Sequence, residues 1–188
     1  DMSRIESGKL SIEESAEKLA ESQLEMIDIL NKAAKDNGIE LEYDFSKIRD
    51  NDVYFDKLHL NQIVLNVLSN AIKYTKKDGH VKYTIIQDEN IDESTAVYQF
   101  IVEDNGIGMS EGFLQHVFEA FERERSSTVS RIQGTGLGLS ITKSLIDLMD
   151  GTIDIESTLG KGTTVQFWLH FRIVEKIEKI SQIGRAHV

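Results

Sequence analysis

The clearest hydrophobic pattern in the chain lies between about residues 57 and 75. Apolar residues recur there at the three- and four-residue spacing of a helix with one buried face: Leu60, Ile63, Val64, Val67, Leu68 and Ala71. Asn70 falls at the edge of that stripe, and Asn66 and Lys73 lie farther round the same side. The pattern therefore predicts an amphipathic helix with two amides and one ammonium group beside its buried face.

Alternation of apolar and polar residues predicts strands before and after this helix. We expect strands at about residues 9–12, 39–45, 53–55, 80–87, 95–103, 151–157 and 163–171. Two further main helices are predicted at about 13–37 and 137–149, with a short one from Ser110 to about Val117. Residues 119–133 contain few aliphatic side chains, so we expect a mobile lid there.

Composition bounds the function without identifying it. The 188 residues suit one domain with a short appendage, and 40% apolar with 28% charged residues is typical of a soluble globular protein. The formal net charge is 21 − 32 = −11, which disfavours binding to nucleic acid or to an anionic membrane surface. The absence of cysteine excludes disulfides and thiolate metal sites. No apolar run approaches the roughly 20 residues of a membrane-spanning helix.

Asp104 ends a predicted strand and is followed directly by Asn105, Gly106, Ile107 and Gly108. A carboxylate accepts hydrogen bonds only, so Asp104 can accept one from the exocyclic amine of adenine. The alternative is an ordinary Asp-Asn-Gly turn. The second glycine of the loop, together with another glycine cluster downstream, favours a ligand site.

That second cluster is Gly134-Thr135-Gly136-Leu137-Gly138-Leu139, which opens the predicted helix at 137–149. Glycines allow backbone N–H groups to approach a phosphate, and a helix N-terminus adds partial positive charge. The spacing does not match a P-loop, and the cluster does not follow a strand as a dinucleotide site requires. A flexible hinge is the alternative for the cluster alone, but the ordered set of helix, loop and cluster indicates a nucleoside triphosphate site.

Several single residues keep two interpretations. Asn70 is either a satisfied structural amide or, beside Asn66 and Lys73, an oxygen ligand for Mg²⁺. Arg123 is either solvated or in contact with a γ-phosphate, and Tyr74 is a core aromatic, a wall beside the base, or both. The five histidines, at positions 59, 80, 116, 170 and 187, have neither metal-ligand spacing nor an acidic helical context, so we interpret them as surface or partly packed.

Five motifs in order resemble the catalytic and ATP-binding domain of bacterial sensor histidine kinases, within the superfamily of DNA gyrase, MutL-type and chaperone ATPases. They are LNQIVLNVLSNAIKYT (N box), DNGIGM (G1 box), FEAFER (F box), GTGLGLSI (G2 box) and GKGTTVQF (the glycine-threonine box), and the resemblance runs from about residue 39 to 171. It implies an α/β two-layer sandwich, in which a mixed, mostly antiparallel sheet is covered on one face by three main helices.

The resemblance also implies roles for individual residues. Asp104 would hold the adenine amine and Asn70 would coordinate Mg²⁺ of the bound ATP. The nucleotide would be lined by Lys73, Tyr74, Gly106, Ile107, Gly108 and Thr163, and its phosphates cradled by Gly134, Thr135, Gly136, Leu137, Gly138 and Leu139. We expect Asn66, Asn70, Lys73 and Arg123 to be the catalytic set, with Arg123 chosen as a basic residue of the lid and not from the resemblance. Relatives that hydrolyse ATP carry a Glu at the position of Asn66, whose amide cannot accept a proton at neutral pH.

The expected domain organisation follows from the same resemblance. Residues 1–8 resemble the end of a dimerisation and histidine-phosphotransfer helix, 9–174 form the ATP-binding domain, and 175–188 are a tail that is disordered or partly an artefact. The expected function is transfer of the γ-phosphoryl group to a histidine on that separate domain, with a response-regulator receiver domain as the other partner. The alternative is a regulatory nucleotide-binding module, while an ATP-driven clamp is disfavoured by Asn66. We expect a cytoplasmic fragment of a membrane-bound receptor.

Overall fold

The computed structural model describes residues 10–119 and 138–175, which form seven strands and four helices. In chain order they are β1 (Ser15–Lys18), α1 (Leu19–Asp36), β2 (Glu40–Lys47), β3 (Asp52–Phe55), α2 (Lys57–Lys73), β4 (His80–Gln87), β5 (Thr95–Asp104), α3 (Glu111–Leu114), α4 (Gly138–Leu148), β6 (Thr152–Thr158) and β7 (Gly162–Ile173). Four predictions fall outside the described residues: the phosphotransfer helix end at 1–8, the lid beyond residue 119 with Arg123, the loop Gly134, Thr135, Gly136 and Leu137, and the tail beyond residue 175.

The strands form one sheet in the order β1-β3-β7-β5-β4-β2, with β6 paired to the longest strand, β7. Among the described strands, β2 and β4 run parallel and every other pairing is antiparallel. The long helices α1, α2 and α4 pack on one face of this sheet. The predicted fold, a two-layer α/β sandwich with a mixed, mostly antiparallel sheet, is confirmed.

The core lies between the sheet and the three long helices. Alternate residues of the central strands point into it, and the Phe100 and Phe167 rings stack with centroids 4.7 Å apart. A buried polar network joins two helices to the sheet: the Tyr83 hydroxyl donates to Gln23, whose amide nitrogen donates to Asn61. Burial raises the pKa of Tyr83, so this hydroxyl stays a donor. Within the described chain, no helix is both long and apolar enough to cross a membrane.

The first predicted strand was misplaced. Residues 11–14 have no regular structure, and the strand lies at Ser15–Lys18, where it pairs antiparallel with β3. The following helix therefore begins at Leu19 rather than at residue 13. Asn51 fixes that start, because its backbone carbonyl accepts from Leu19 N at 2.9 Å and its side chain accepts from Ala20 N at 2.7 Å. The position of this strand and the start of the helix depend on a segment more than thirty residues away. The local pattern of apolar residues does not reveal such a contact.

The interpretation of His59 as a surface or partly packed histidine was also wrong. His59 is 8% exposed, and its Nδ1 lies 2.5 Å from Oδ2 of Asp56, the N-cap residue of α2. Asp56 also accepts from the backbone N–H of His59 at 3.0 Å and from that of Glu13 at 2.9 Å. This carboxylate thus connects the segment before β1 to the helix that carries Asn66 and Asn70.

Replacing Asp56 with Asn should lower the free energy of unfolding by about 1–3 kcal/mol at neutral pH, because Oδ2 is lost as an acceptor for Glu13 N–H and the His59 ring.

Burial raises the pKa of Asp56, but its hydrogen bonds with Glu13 and His59 outweigh burial and hold the pKa below the usual range. Its stabilisation is therefore present above the unfolded-state pKa and disappears as the pH falls through the lowered native pKa. Urea unfolding across that window measures both effects, with the exposed Asp28→Asn as control. A difference between Asp56→Asn and wild type that stayed constant with pH would contradict the assignment.

Candidate nucleotide-binding site

The polar edge of α2 forms one wall of the candidate site. Asn66 and Asn70 are half-buried, one helical turn apart on the same face, as their place beside the apolar stripe predicts. The helix ends at Lys73, with Tyr74 as its C-cap, and the Lys73 ammonium lies 5.5 Å from the Tyr74 ring centroid. Both side chains are only partly buried, so α2 presents amide, ammonium and aromatic groups along one surface.

The loop after β5 lies directly on the C-terminal end of α2. Ile107 N donates to the Tyr74 carbonyl at 3.1 Å, and a Cβ atom on Gly106 would lie 2.4 Å from that same oxygen. Glycine at position 106 is therefore required by close backbone approach. The structure brings Tyr74 together with Gly106 and Ile107, which follow it by about thirty residues in the sequence.

Asp104 occupies the end of β5 with one oxygen committed to the protein. Its Oδ1 accepts from Gly106 N at 2.9 Å and from Thr163 N at 3.2 Å, so Oδ2 is the oxygen that can accept from a ligand. Burial raises the pKa of Asp104, although these two backbone hydrogen bonds act in the opposite direction. A half-buried carboxylate acceptor at this point suits an amine donor such as that of adenine.

The turn between β6 and β7 holds the same loop from the other side. Gly160 N donates to the Ile107 carbonyl at 2.7 Å, and Met109 N donates to Ser157 Oγ at 2.8 Å. Gly108 has φ +68°, and a Cβ atom there would lie 2.0 Å from the Thr158 carbonyl oxygen. Ser157 holds this loop, and sequence reasoning missed it because Met109 is distant in the chain and the residue itself is an ordinary strand serine.

The first turn of α4 lies beside both asparagines of α2. Asn66 Nδ2 is 3.4 Å from the Gly138 carbonyl oxygen and 3.4 Å from Thr142 Oγ1, and a Cβ atom on Gly138 would lie 3.6 Å from Asn70 Nδ2. Gly138 and Leu139 are half-buried here. Two segments predicted to meet at the phosphates of a nucleotide are therefore neighbours in the fold.

The donor set fits the Mg²⁺ ion implied by the resemblance. The described residues contain no group of three or more His, Cys, Asp or Glu side chains able to hold a metal without a ligand. Mg²⁺ in nucleotide sites takes few protein ligands and shares the phosphate oxygens, so the side-chain oxygen of the half-buried Asn70 would be its protein ligand.

Residues 55–173 match the sequence profile of the family described as histidine kinase-, DNA gyrase B- and HSP90-like ATPases. The chain belongs to this family. The match covers all of the described site, from α2 through the loop after β5 to β7.

Curated relatives that match most of this chain include histidine kinases. It is 36% identical over 172 residues to the non-motile and phage-resistance protein of Caulobacter vibrioides, covering 92% of this chain and 20% of the relative. It is 33% identical to the circadian input-output histidine kinase CikA of Synechococcus elongatus, covering 100% and 25%, and 32% identical to the kinase BarA of Escherichia coli K12, covering 92% and 18%. The chain thus spans a quarter or less of the length of these relatives.

Solved structures agree with the sequence comparison. Full-length ShkA in complex with AMPPNP superposes with a TM-score of 0.72 at 28% identity, over 92% of this chain and 34% of that one. The mycobacterial sensor histidine kinase MprB gives 0.62 at 26% identity, over 87% and 99%. The catalytic domain of ThkA gives 0.66 at 22% identity, over 85% and 95%, which supports the fold. Both comparisons therefore match this chain to the ATP-binding catalytic domain of histidine kinases.

Proposed function

We propose that this domain transfers the γ-phosphoryl group of Mg²⁺-bound ATP to a histidine on a separate dimerisation and phosphotransfer domain of its parent protein. The observation that carries the proposal is Asn66. An amide occupies the position one turn before Asn70, and its nitrogen faces the Gly138 carbonyl at 3.4 Å. Neither end of a neutral amide can take a proton from water, so the arrangement favours a protein acceptor over hydrolysis.

The resemblance, and the positions of those binding residues that the structure describes, support the following roles. Asp104 Oδ2 would accept from the adenine amine, and Tyr74, Gly106, Ile107, Gly108 and Thr163 would line the base and sugar. Lys73 would neutralise phosphate charge beside Asn70, whose oxygen would hold Mg²⁺, and the first turn of α4 would meet the phosphates with the preceding glycines. Arg123 would contact the γ-phosphate. When bound, magnesium neutralises the charge that spreads over the transferring group.

The proposal places the phosphoacceptor on another domain, which the surroundings of His59 and His80 support. His59 is buried against Asp56, and Nδ1 of the His80 ring lies 3.2 Å from the Asn105 amide nitrogen. His116 differs from these two, because its Nδ1 lies 2.8 Å from Glu119 Oε1 on the surface, and a base beside the histidine is what an acceptor needs. Labelling of His116 would therefore test the assignment of the acceptor to another domain. The partners proposed are the phosphotransfer domain and a response-regulator receiver domain, at the cytoplasmic end of a membrane-bound receptor.

Incubation with radiolabelled ATP tests the proposal. The chain alone should show neither acid-labile label nor more than trace hydrolysis, because we assign the in-line acceptor histidine to the other domain and the Asn66 amide cannot activate water. Adding the phosphotransfer domain of the parent protein should place the label on that domain's histidine. Label on the chain itself that disappears in His116→Gln would contradict the assignment of the acceptor. Tight ATP binding without transfer to the added domain would favour a regulatory nucleotide module instead.

A further inference from the structure

Thr142 lies where the two nucleotide helices touch, and neither its position in a predicted helix nor any motif singles it out. It is fully buried at 0% exposure in the second turn of α4. Its hydroxyl donates to the Gly138 carbonyl at 2.8 Å, and Asn66 Nδ2 reaches both of these oxygens at 3.4 Å. Three polar groups thus meet at one point of the α2–α4 interface.

The chemistry of these three polar groups determines which of them donates each hydrogen bond. A carbonyl oxygen only accepts, so the group of Asn66 that faces Gly138 must be its NH₂ and not its amide oxygen. The Thr142 hydrogen is directed to the same carbonyl, which leaves a lone pair on Oγ1 to accept from Asn66. Because the oxygen and nitrogen of an amide diverge from one carbon, this contact turns Asn66 Oδ1 away from the Gly138 carbonyl.

We propose that Thr142 is a positioning residue for the phosphate end of the site. It holds the Asn66 amide in one orientation and, through it, holds the first turn of α4 against α2 beside Asn70. The inference rests on the proposed function, since it takes the phosphates to lie between Asn70 and the first turn of α4. Thr142 acts on phosphate binding and leaves the adenine contact unchanged, because Asp104 is held by Gly106 and Thr163 on other elements.

The test compares a triphosphate with a ligand that lacks phosphates. Thr142→Val keeps the side-chain shape and removes the hydroxyl, so it should weaken binding of Mg²⁺-AMPPNP by roughly 3- to 10-fold in calorimetry. Adenosine binding, followed by NMR titration, should change by less than about twofold. Thr142→Ser keeps the hydroxyl and should restore triphosphate affinity. The control is Ser144→Ala on the same helix, which removes a similar hydroxyl-to-carbonyl bond, from Ser144 to Ser140 at 3.0 Å.

A double-mutant cycle asks whether Thr142 acts through Asn66. If it does, adding Thr142→Val to Asn66→Ala should cost little more than Asn66→Ala alone. Equal losses for Mg²⁺-AMPPNP and adenosine, full additivity in the cycle, or wild-type triphosphate affinity in Thr142→Val would each overturn the inference and leave the proposed function standing. Failure of the wild-type chain to bind Mg²⁺-AMPPNP would instead remove the proposed function, and this inference with it.

Discussion

Replacing Asp104 with Asn should weaken binding of an ATP analogue by roughly 5- to 150-fold, equivalent to about 1–3 kcal/mol. The Asn side chain can still accept from Gly106 and Thr163 through one oxygen, as Oδ1 does now. Its NH₂ group then replaces Oδ2 and places a donor opposite the adenine amine. The variant thus reverses one hydrogen-bonding direction at nearly constant volume, and calorimetric titration measures the result.

The matched control for that variant is Glu103→Gln. It makes the same change of charge at the neighbouring residue, which is exposed on the opposite side of β5. A long-range electrostatic effect would lower the affinity of both variants, whereas a contact with the base affects only Asp104→Asn. Wild-type affinity in Asp104→Asn would remove Asp104 from its assigned role.

The raised pKa of Asp104 adds a pH signature to the same experiment. Because burial raises the native pKa above the unfolded value, the ionised carboxylate destabilises the ligand-free fold, and stability falls as the pH rises through that window. Adenine binding needs the ionised acceptor, so affinity should fall at a higher pH on acidification than an ordinary Asp would give. In the ligand-free state Asp104→Asn should therefore be at least as stable as wild type near neutral pH.

Much of the fold is predictable because the decisive patterns are local. The stripe on α2 and the alternation in β4, β5 and β7 each lie within one segment and face one core. β1 was misplaced because its position is set by pairing with β3 and by Asn51. The contact of His59 with Asp56 spans only three residues and was missed although it is local, whereas the bond from Glu13 to Asp56 joins distant segments.

The residues of the candidate site also form two groups, those that the sequence alone reveals and those that only the folded structure reveals. Asp104, Asn70 and the glycines stand out in sequence because their residue type is unusual for a strand end or a helix edge. Ser157 and Thr142 are ordinary in their own segments, and they matter through bonds to Met109 and Asn66, 48 and 76 residues away. Contacts that join two loops or two helices leave no pattern within either, so such positioning residues become visible only in the folded chain.

The loop after β5 and the β6–β7 turn approach so closely that Gly108→Ala should be among the most damaging single substitutions in this domain. Gly108 has φ +68°, which costs an Ala about 1–2 kcal/mol. Its new Cβ atom would also lie 2.0 Å from the Thr158 carbonyl oxygen, and relieving such overlap adds about 1–3 kcal/mol. Separating the loop from the turn would break the bonds from Gly160 to Ile107 and from Met109 to Ser157.

Gly160→Ala is a control that separates backbone strain at positive φ from steric overlap of the new Cβ atom. It has φ +83°, but a Cβ atom there would have no heavy atom of the described structure within 4 Å. Gly160→Ala should therefore lower the free energy of unfolding only by the backbone term of about 1–2 kcal/mol, against about 2–5 kcal/mol for Gly108→Ala. Denaturant unfolding measures these values, and calorimetry should show at least about a tenfold loss of nucleotide affinity in Gly108→Ala alone. Equal effects of the two substitutions would mean that the close approach at Thr158 is not what requires glycine at position 108.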